Sequence, residues 1–313
     1  MQLIQLRLGI VFMSAAIMIT HHAATAMTDE KLQVTHQGVE RTATLHRSTS
    51  DGQIPDPRPT IIVLHGLEQS VDSLRRQLRF DQVAERERAI VVYPEALQGR
   101  WSYGRPIVAP MPTVGDVPAD DVGFIGTLID ALVNRRLADA KRVYVTGGSR
   151  GGLMTFTLAC ALPHRIAAAA PMLTGMTEWQ REDCTPGHPV PLFVVAGTND
   201  RMQAYDGGIG PLGRLLSVPE TIEFWRTRHG CTSLTFKLLP DVDTRDRTRI
   251  AIADWTGCKS GMAVRLYRIE GGGHRLPSLV PLNDRPDYQF GLRSRDMETA
   301  ETLWAVFKDI ALP

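Results

Sequence analysis

Apolar positions follow two rhythms along this chain. Short, mostly apolar runs recur at residues 60–64 (TIIVL), 89–93 (AIVVY), 142–146 (RVYVT), 166–170, 192–196 (LFVVA) and 264–269. Runs of this length and character fit strands buried on both faces. Between them the spacing becomes helical. Val122, Ile125, Ile129 and Leu132 share one face of a helix expected over 120–137, with Asp120 as its cap. Ala300, Leu303, Trp304 and Phe307 do the same for a helix over 296–310. Further helices are expected over 70–88, 149–162 (stopped by Pro163) and 219–229. Residues 32–36 and 40–46, around Gln37-Gly38, predict an N-terminal hairpin, and 48–59 a proline-rich loop. Strands alternating with helices predict an α/β fold, a mostly parallel central sheet with helices on both faces. With neither a repeat nor a linker, residues 27–313 are expected to form a single catalytic domain.

The chemistry concentrates in Gly147-Gly148-Ser149-Arg150-Gly151-Gly152, a G-x-S-x-G pattern between an expected strand and an expected helix. A strand–turn–helix holding a serine at its tip is the nucleophile elbow of α/β-hydrolases. A serine hydroxyl needs a base, and the base an orienting acid, in the chain order Ser, acid, His. His274, after Gly271-Gly272-Gly273 at the end of the 264–269 strand, is the candidate base. His164 reads as a helix-end cap, His188 and His229 as solvated. Asp200 directly follows the 192–196 strand and is the candidate acid, with Asp206, Asp241, Asp243 and Asp254 as competitors. The oxyanion hole needs two N–H donors. They are expected from Arg150, after the nucleophile, and Leu67, after the 60–64 strand, with His65 shaping that loop. Trp101 and Tyr103, in the long Gly- and Pro-containing segment 97–119, are candidates for the substrate pocket, as is the Arg150 side chain.

Composition narrows the class further. The formal net charge is +1, which gives no basic surplus for nucleic acid. Residues 1–26 read as a signal peptide: one charge at Arg7, a short apolar stretch over 8–20, and Ala24-Thr25-Ala26 as the cleavage pattern. The apolar stretch is shorter than the roughly 20 residues a membrane span needs. A secreted or periplasmic protein, free of the membrane after signal removal, is therefore expected. Four cysteines allow three pairings. Cys231–Cys258, tying a helix end to a strand end, and Cys160–Cys184 are favoured. Their spacing does not suit a metal, and no metal is expected.

Taken together, these residues resemble the esterase family that groups polyhydroxybutyrate depolymerases with feruloyl and acetyl-xylan esterases. The likeness runs from about residue 32 to residue 307. It is carried by Val63-Leu64-His65-Gly66, Val91-Val92-Tyr93-Pro94, Asp120-Asp121-Val122-Gly123-Phe124, residues 142–147, Phe224-Trp225, Gly230-Cys231 and Gly271-Gly272-Gly273-His274. The resemblance implies the α/β-hydrolase fold, a triad of Ser149, Asp200 and His274, and ester hydrolysis through an acyl-enzyme without a cofactor. Two features depart from it. Arg150 stands where relatives often carry Asn, Gln or Ala, and Arg275-Leu276-Pro277 where they often read Thr-Trp-Pro. Small or oligomeric esters, such as 3-hydroxybutyrate oligomers, are the expected substrates. A feruloyl or acetyl-xylan esterase, a peptidase of the same fold and a non-catalytic sugar- or polymer-binding relative are the alternatives. The sequence leaves the oligomeric state open.

Overall fold

The computed structural model describes residues 27–48, 57–104, 111–185, 189–259, 262–282 and 289–313. The signal-peptide segment 1–26 and His188 lie outside the described residues. The strands are β1 (Met27–His36), β2 (Val39–Ser48), β3 (Arg58–Leu64), β4 (Ile90–Pro94), β5 (Thr113–Val114), β6 (Val117–Pro118), β7 (Ala138–Gly148), β8 (Ala168–Met172), β9 (Leu192–Gly197), β10 (Gly208–Gly210), β11 (Gly213–Leu215), β12 (Ser233–Leu238), β13 (Arg249–Thr256) and β14 (Val264–Glu270). The helices are α1 (Val71–Leu78), α2 (Phe80–Glu87), α3 (Asp121–Asn134), α4 (Arg150–Ala161), α5 (Glu178–Asp183), α6 (Val218–His229) and α7 (Thr299–Phe307).

Ten strands form one sheet in the order β1-β2-β4-β3-β7-β8-β9-β14-β13-β12. The six central strands, β4 through β14, run parallel. Antiparallel pairs flank them on both sides. Side chains alternate across each strand, so the sheet separates two cores. Ile62 and Leu64 of β3 face one core with Phe124 and Leu128 of α3, Phe156 of α4 and Trp225 of α6. Ile61 and Val63 face the other, with Leu78, Phe80 and Val83 of the first two helices and Leu303, Trp304 and Phe307 of α7. Helices thus cover both faces, as the α/β-hydrolase fold requires.

Several expectations need correction. The helix expected over 70–88 is two helices, broken where Arg79 adopts φ 60° and its N–H bonds the Arg75 carbonyl. The break lets Leu78 and Phe80 both be buried. The strand expected at 166–170 lies two residues later, and the 97–119 segment contains the small hairpin β5–β6. The sequence reading missed α5, β10–β11 and the edge pair β12–β13. His229 is fully buried rather than solvated, its Nε2 2.9 Å from the Val190 carbonyl oxygen, and burial lowers its pKa.

Disulfides join Cys160 of α4 to Cys184 at the end of α5, and Cys231 after α6 to Cys258 after β13. Each closes a loop of 24 or 27 residues. In the chain-entropy picture such a loop contributes about 3.5 kcal/mol. No helix among the described residues is long and apolar enough to cross a membrane.

Candidate active site

The turn from β7 into α4 holds Ser149 at φ 57° and ψ −117°, a backbone conformation that a non-glycine residue adopts only when its surroundings impose it. Here the imposition is visible. The Ser149 N–H donates to the Met172 carbonyl at 2.9 Å, and its carbonyl accepts from Leu153 N–H at 3.0 Å. A Cβ on Gly147 would lie 2.7 Å from Gly151 and from the Leu64 carbonyl oxygen. On Gly151 it would sit closer still to that oxygen. Only glycine on both sides lets β3, β7 and the first turn of α4 close around the serine.

Asp200 follows β9 and His274 follows β14, adjacent parallel strands. The loops they carry pack backbone against backbone: a Cβ on Gly197 would lie 2.6 Å from the Gly273 carbonyl oxygen. That closeness brings Asp200 Oδ2 to 2.6 Å from His274 Nδ1, with both side chains buried. Asp200 Oδ1 accepts from the N–H groups of Met202 and Gln203 at 2.8 and 2.9 Å. One carboxylate therefore both folds its own turn and orients the histidine. The His274 N–H donates to the Phe290 carbonyl at 2.7 Å. Of the competing acids, Asp241, Asp243 and Asp254 are engaged by Arg249, Arg245 and Arg265.

Ser149 and His274 line one cleft of about 620 Å³, with Gly66, Leu67, Met202 and Leu276. Among the described residues, neither the Leu67 nor the Arg150 N–H makes a hydrogen bond. The first leads out of β3 into the cleft, and the second opens α4, whose N-terminal N–H groups suit negative charge. Both are thus open to a ligand oxygen.

His65 precedes this loop and is locked. Its Nδ1–H donates to the Gly66 carbonyl at 2.7 Å, and its Nε2 accepts from the Ala96 N–H at 3.0 Å. Burial lowers its pKa and keeps the ring neutral. Trp101 lies 4.9 Å from it, ring to ring, and donates its indole N–H to the His65 carbonyl.

The expectation that Trp101 and Tyr103 line the substrate pocket is corrected. Both are buried, and neither is among the cleft residues. Tyr103 donates to the Arg150 carbonyl at 3.3 Å, and burial pushes its hydroxyl up to about 12. Their polar ends are occupied by the His65 and Arg150 backbone carbonyls, on either side of Ser149, so both act as props. The segment between them is anchored in turn: Asp121 accepts from the Ser102 N–H and from Arg41, both carboxylate and guanidinium being buried. Sequence reading missed Arg76, Gln69, Leu173, Phe290 and Arg293 as cleft residues. They come from distant segments, and no local motif marks them. Among the described residues no group of three or more His, Cys, Asp or Glu could hold a metal ion.

Residues 49–177 match the family model described as "Esterase PHB depolymerase". The chain is 26% identical over 283 residues to "Putative esterase NocK" of Nocardia uniformis subsp. tsuyamanensis, covering 86% of this chain and 80% of that protein. It is 27% identical to feruloyl esterase B of Piromyces equi, covering 69% of this chain. It is 26% identical to the bifunctional acetylxylan esterase/xylanase XynS20E of Neocallimastix patriciarum, covering 74%. It spans only 39% and 30% of those two longer proteins. The acetyl xylan esterase structure from Aspergillus awamori shares the fold, with a TM-score of 0.54 at 15% identity over 81% of this chain and 96% of that one. Over residues 49–177 the chain resembles the polyhydroxybutyrate depolymerase esterases, and over most of its length it is similar to proteins named as esterases and feruloyl esterases.

Proposed function

We propose that this carboxylic ester hydrolase uses Ser149 as nucleophile, His274 as general base and acid, and Asp200 to orient the imidazole. The observation that carries the reading is the pairing of a strained, glycine-framed Ser149 with an Asp200–His274 contact of 2.6 Å in one cleft. Asp200 holds Nδ1, which leaves Nε2 of the same ring for the serine proton. Ser149 attacks the ester carbonyl as His274 takes its proton, and the Leu67 and Arg150 N–H groups receive the oxyanion. Each such donor is worth roughly 10²–10³ in rate. His274 then protonates the departing alcohol. Water, activated by the same imidazole, releases the acid and restores Ser149.

The substrates are small or oligomeric esters, with 3-hydroxybutyrate oligomers the first candidate. The protein acts outside the cytoplasm, a reading supported by the sequence of residues 1–26 and by two disulfides, which persist in oxidising compartments. A feruloyl or acetyl-xylan esterase is the second reading, favoured by the relatives of those names.

The test compares hydrolysis of a 3-hydroxybutyrate trimer and of methyl ferulate by the mature protein and by Ser149→Ala. Loss of all turnover, about 10⁶-fold, in a folded Ser149→Ala protein is expected. Near-normal turnover by that variant would refute the mechanism. Preference for ferulate would move the substrate to the second reading.

A further inference from the structure

A smaller cavity of about 200 Å³ adjoins the cleft, with Met202 lining both. Arg150 and Arg201 line it with Thr177, Gln203 and the glycine-rich hairpin β10–β11. No aspartate or glutamate lines either cavity among the described residues. Many arginines elsewhere are matched with carboxylates: Arg75 with Asp29 and Asp81, Arg86 with Glu301, Arg214 with Glu178 and Glu220, Arg265 with Asp254. Among the described residues, neither Arg150 nor Arg201 makes such a pair, and nor does Arg76 in the cleft itself. The carboxylate nearest in sequence, Asp200, is already engaged by His274 and by its own turn.

Two guanidiniums in a concave site without a counter-charge focus positive potential there. A planar guanidinium also matches a carboxylate in two parallel hydrogen bonds. The position is informative as well. Arg150 directly follows the nucleophile, so an anion held by its side chain is anchored beside the scissile bond.

Resting on the reading of Ser149 as nucleophile, we infer that the preferred substrate is an ester that itself carries a carboxylate, bound by Arg150 and Arg201. A short hydroxy-acid oligomer with a free acid end belongs to this class. Methyl ferulate and neutral acetylated sugars do not.

The test uses two matched pairs, one for each side of the ester. p-Nitrophenyl hemisuccinate is compared with p-nitrophenyl butyrate, and 4-acetoxybutanoate with 4-acetoxybutanamide. The readout is the ratio of kcat/KM, charged over neutral, within each protein. The parent should favour the charged member of one pair, and that ratio should fall about tenfold in Arg201→Gln and in Arg150→Gln, since a hydrogen bond to a charged group is worth that much. Arg150→Lys should recover part of it, and added salt should shrink it. Arg201 is exposed, so its variant reports even where Arg150→Gln fails to fold. A parent without preference in either pair, or variants with unchanged ratios, would overturn the inference and leave the esterase reading intact. Absence of Ser149-dependent turnover on all four esters would instead remove the reading on which it rests.

Discussion

Two histidines stand at the ends of parallel strands beside Ser149, and their ring nitrogens meet different fates. His65, after β3, has both nitrogens bound to backbone, one giving to Gly66 and one receiving from Ala96. His274, after β14, has Nδ1 on a buried carboxylate and lines the cleft. The first ring is a fastener for the loop that leads to Leu67. The second, in the proposed mechanism, is the ring that moves a proton. Strand position and residue type are shared, so what separates the roles is whether a carboxylate and an open cleft face the imidazole.

Substituting each in turn tests that contrast. His274→Ala should lower kcat on a neutral p-nitrophenyl ester by about 10⁶ while circular dichroism stays unchanged. A loss below about 10² would remove His274 from the proposed role. Asp200→Asn keeps the shape but offers the wrong hydrogen-bonding group, and a loss of about 10⁴ is expected. An unchanged rate would mean that another group orients the ring. His65→Leu leaves the Ala96 N–H buried without its acceptor. It should cost about 1–3 kcal/mol in urea unfolding while the residual activity keeps its pH profile. An activity loss matching that of His274→Ala would erase the distinction.

The smallest effect is in pH dependence. Burial depresses the pKa of His65 below its ordinary value of 6.5. The unfolded chain then takes up a proton that the folded state refuses. Stability is therefore full above about pH 6.5 and declines as pH falls from there toward the depressed value, by at most about 1.4 kcal/mol per unit. His229, buried with its pKa also lowered, adds in the same direction. Parent and His65→Leu, unfolded in urea at several values between pH 7 and pH 5, should show a shallower slope in the variant. Equal slopes would put the pH sensitivity elsewhere.

The centre of the sheet was legible because its strands are buried on both faces, and such burial leaves unbroken apolar runs like TIIVL and LFVVA. The elbow was legible because its geometry tolerates so few residues. The edge strands β12 and β13 were not. Ser233–Leu238 is exposed throughout, with Phe236 74% accessible, so no burial shaped its pattern. The break at Arg79 carries neither glycine nor proline and is set by tertiary packing. Trp101 and Tyr103 misled because an aromatic in a long loop near a site fits both lining and support. Only the destination of the indole N–H and the phenol O–H separates the two. The arginines around Ser149 were scattered, at 76, 150, 201, 275 and 293, and only folding gathers them.

The disulfides join neighbours in chain order, first with second and third with fourth. A chain threaded through a membrane N-terminus first and oxidised as it emerges presents Cys160 and Cys184 together before Cys231 has appeared. In a chain that folds in that order the native bonds would also be the first available ones, with no wrong partner on hand when the first pair forms.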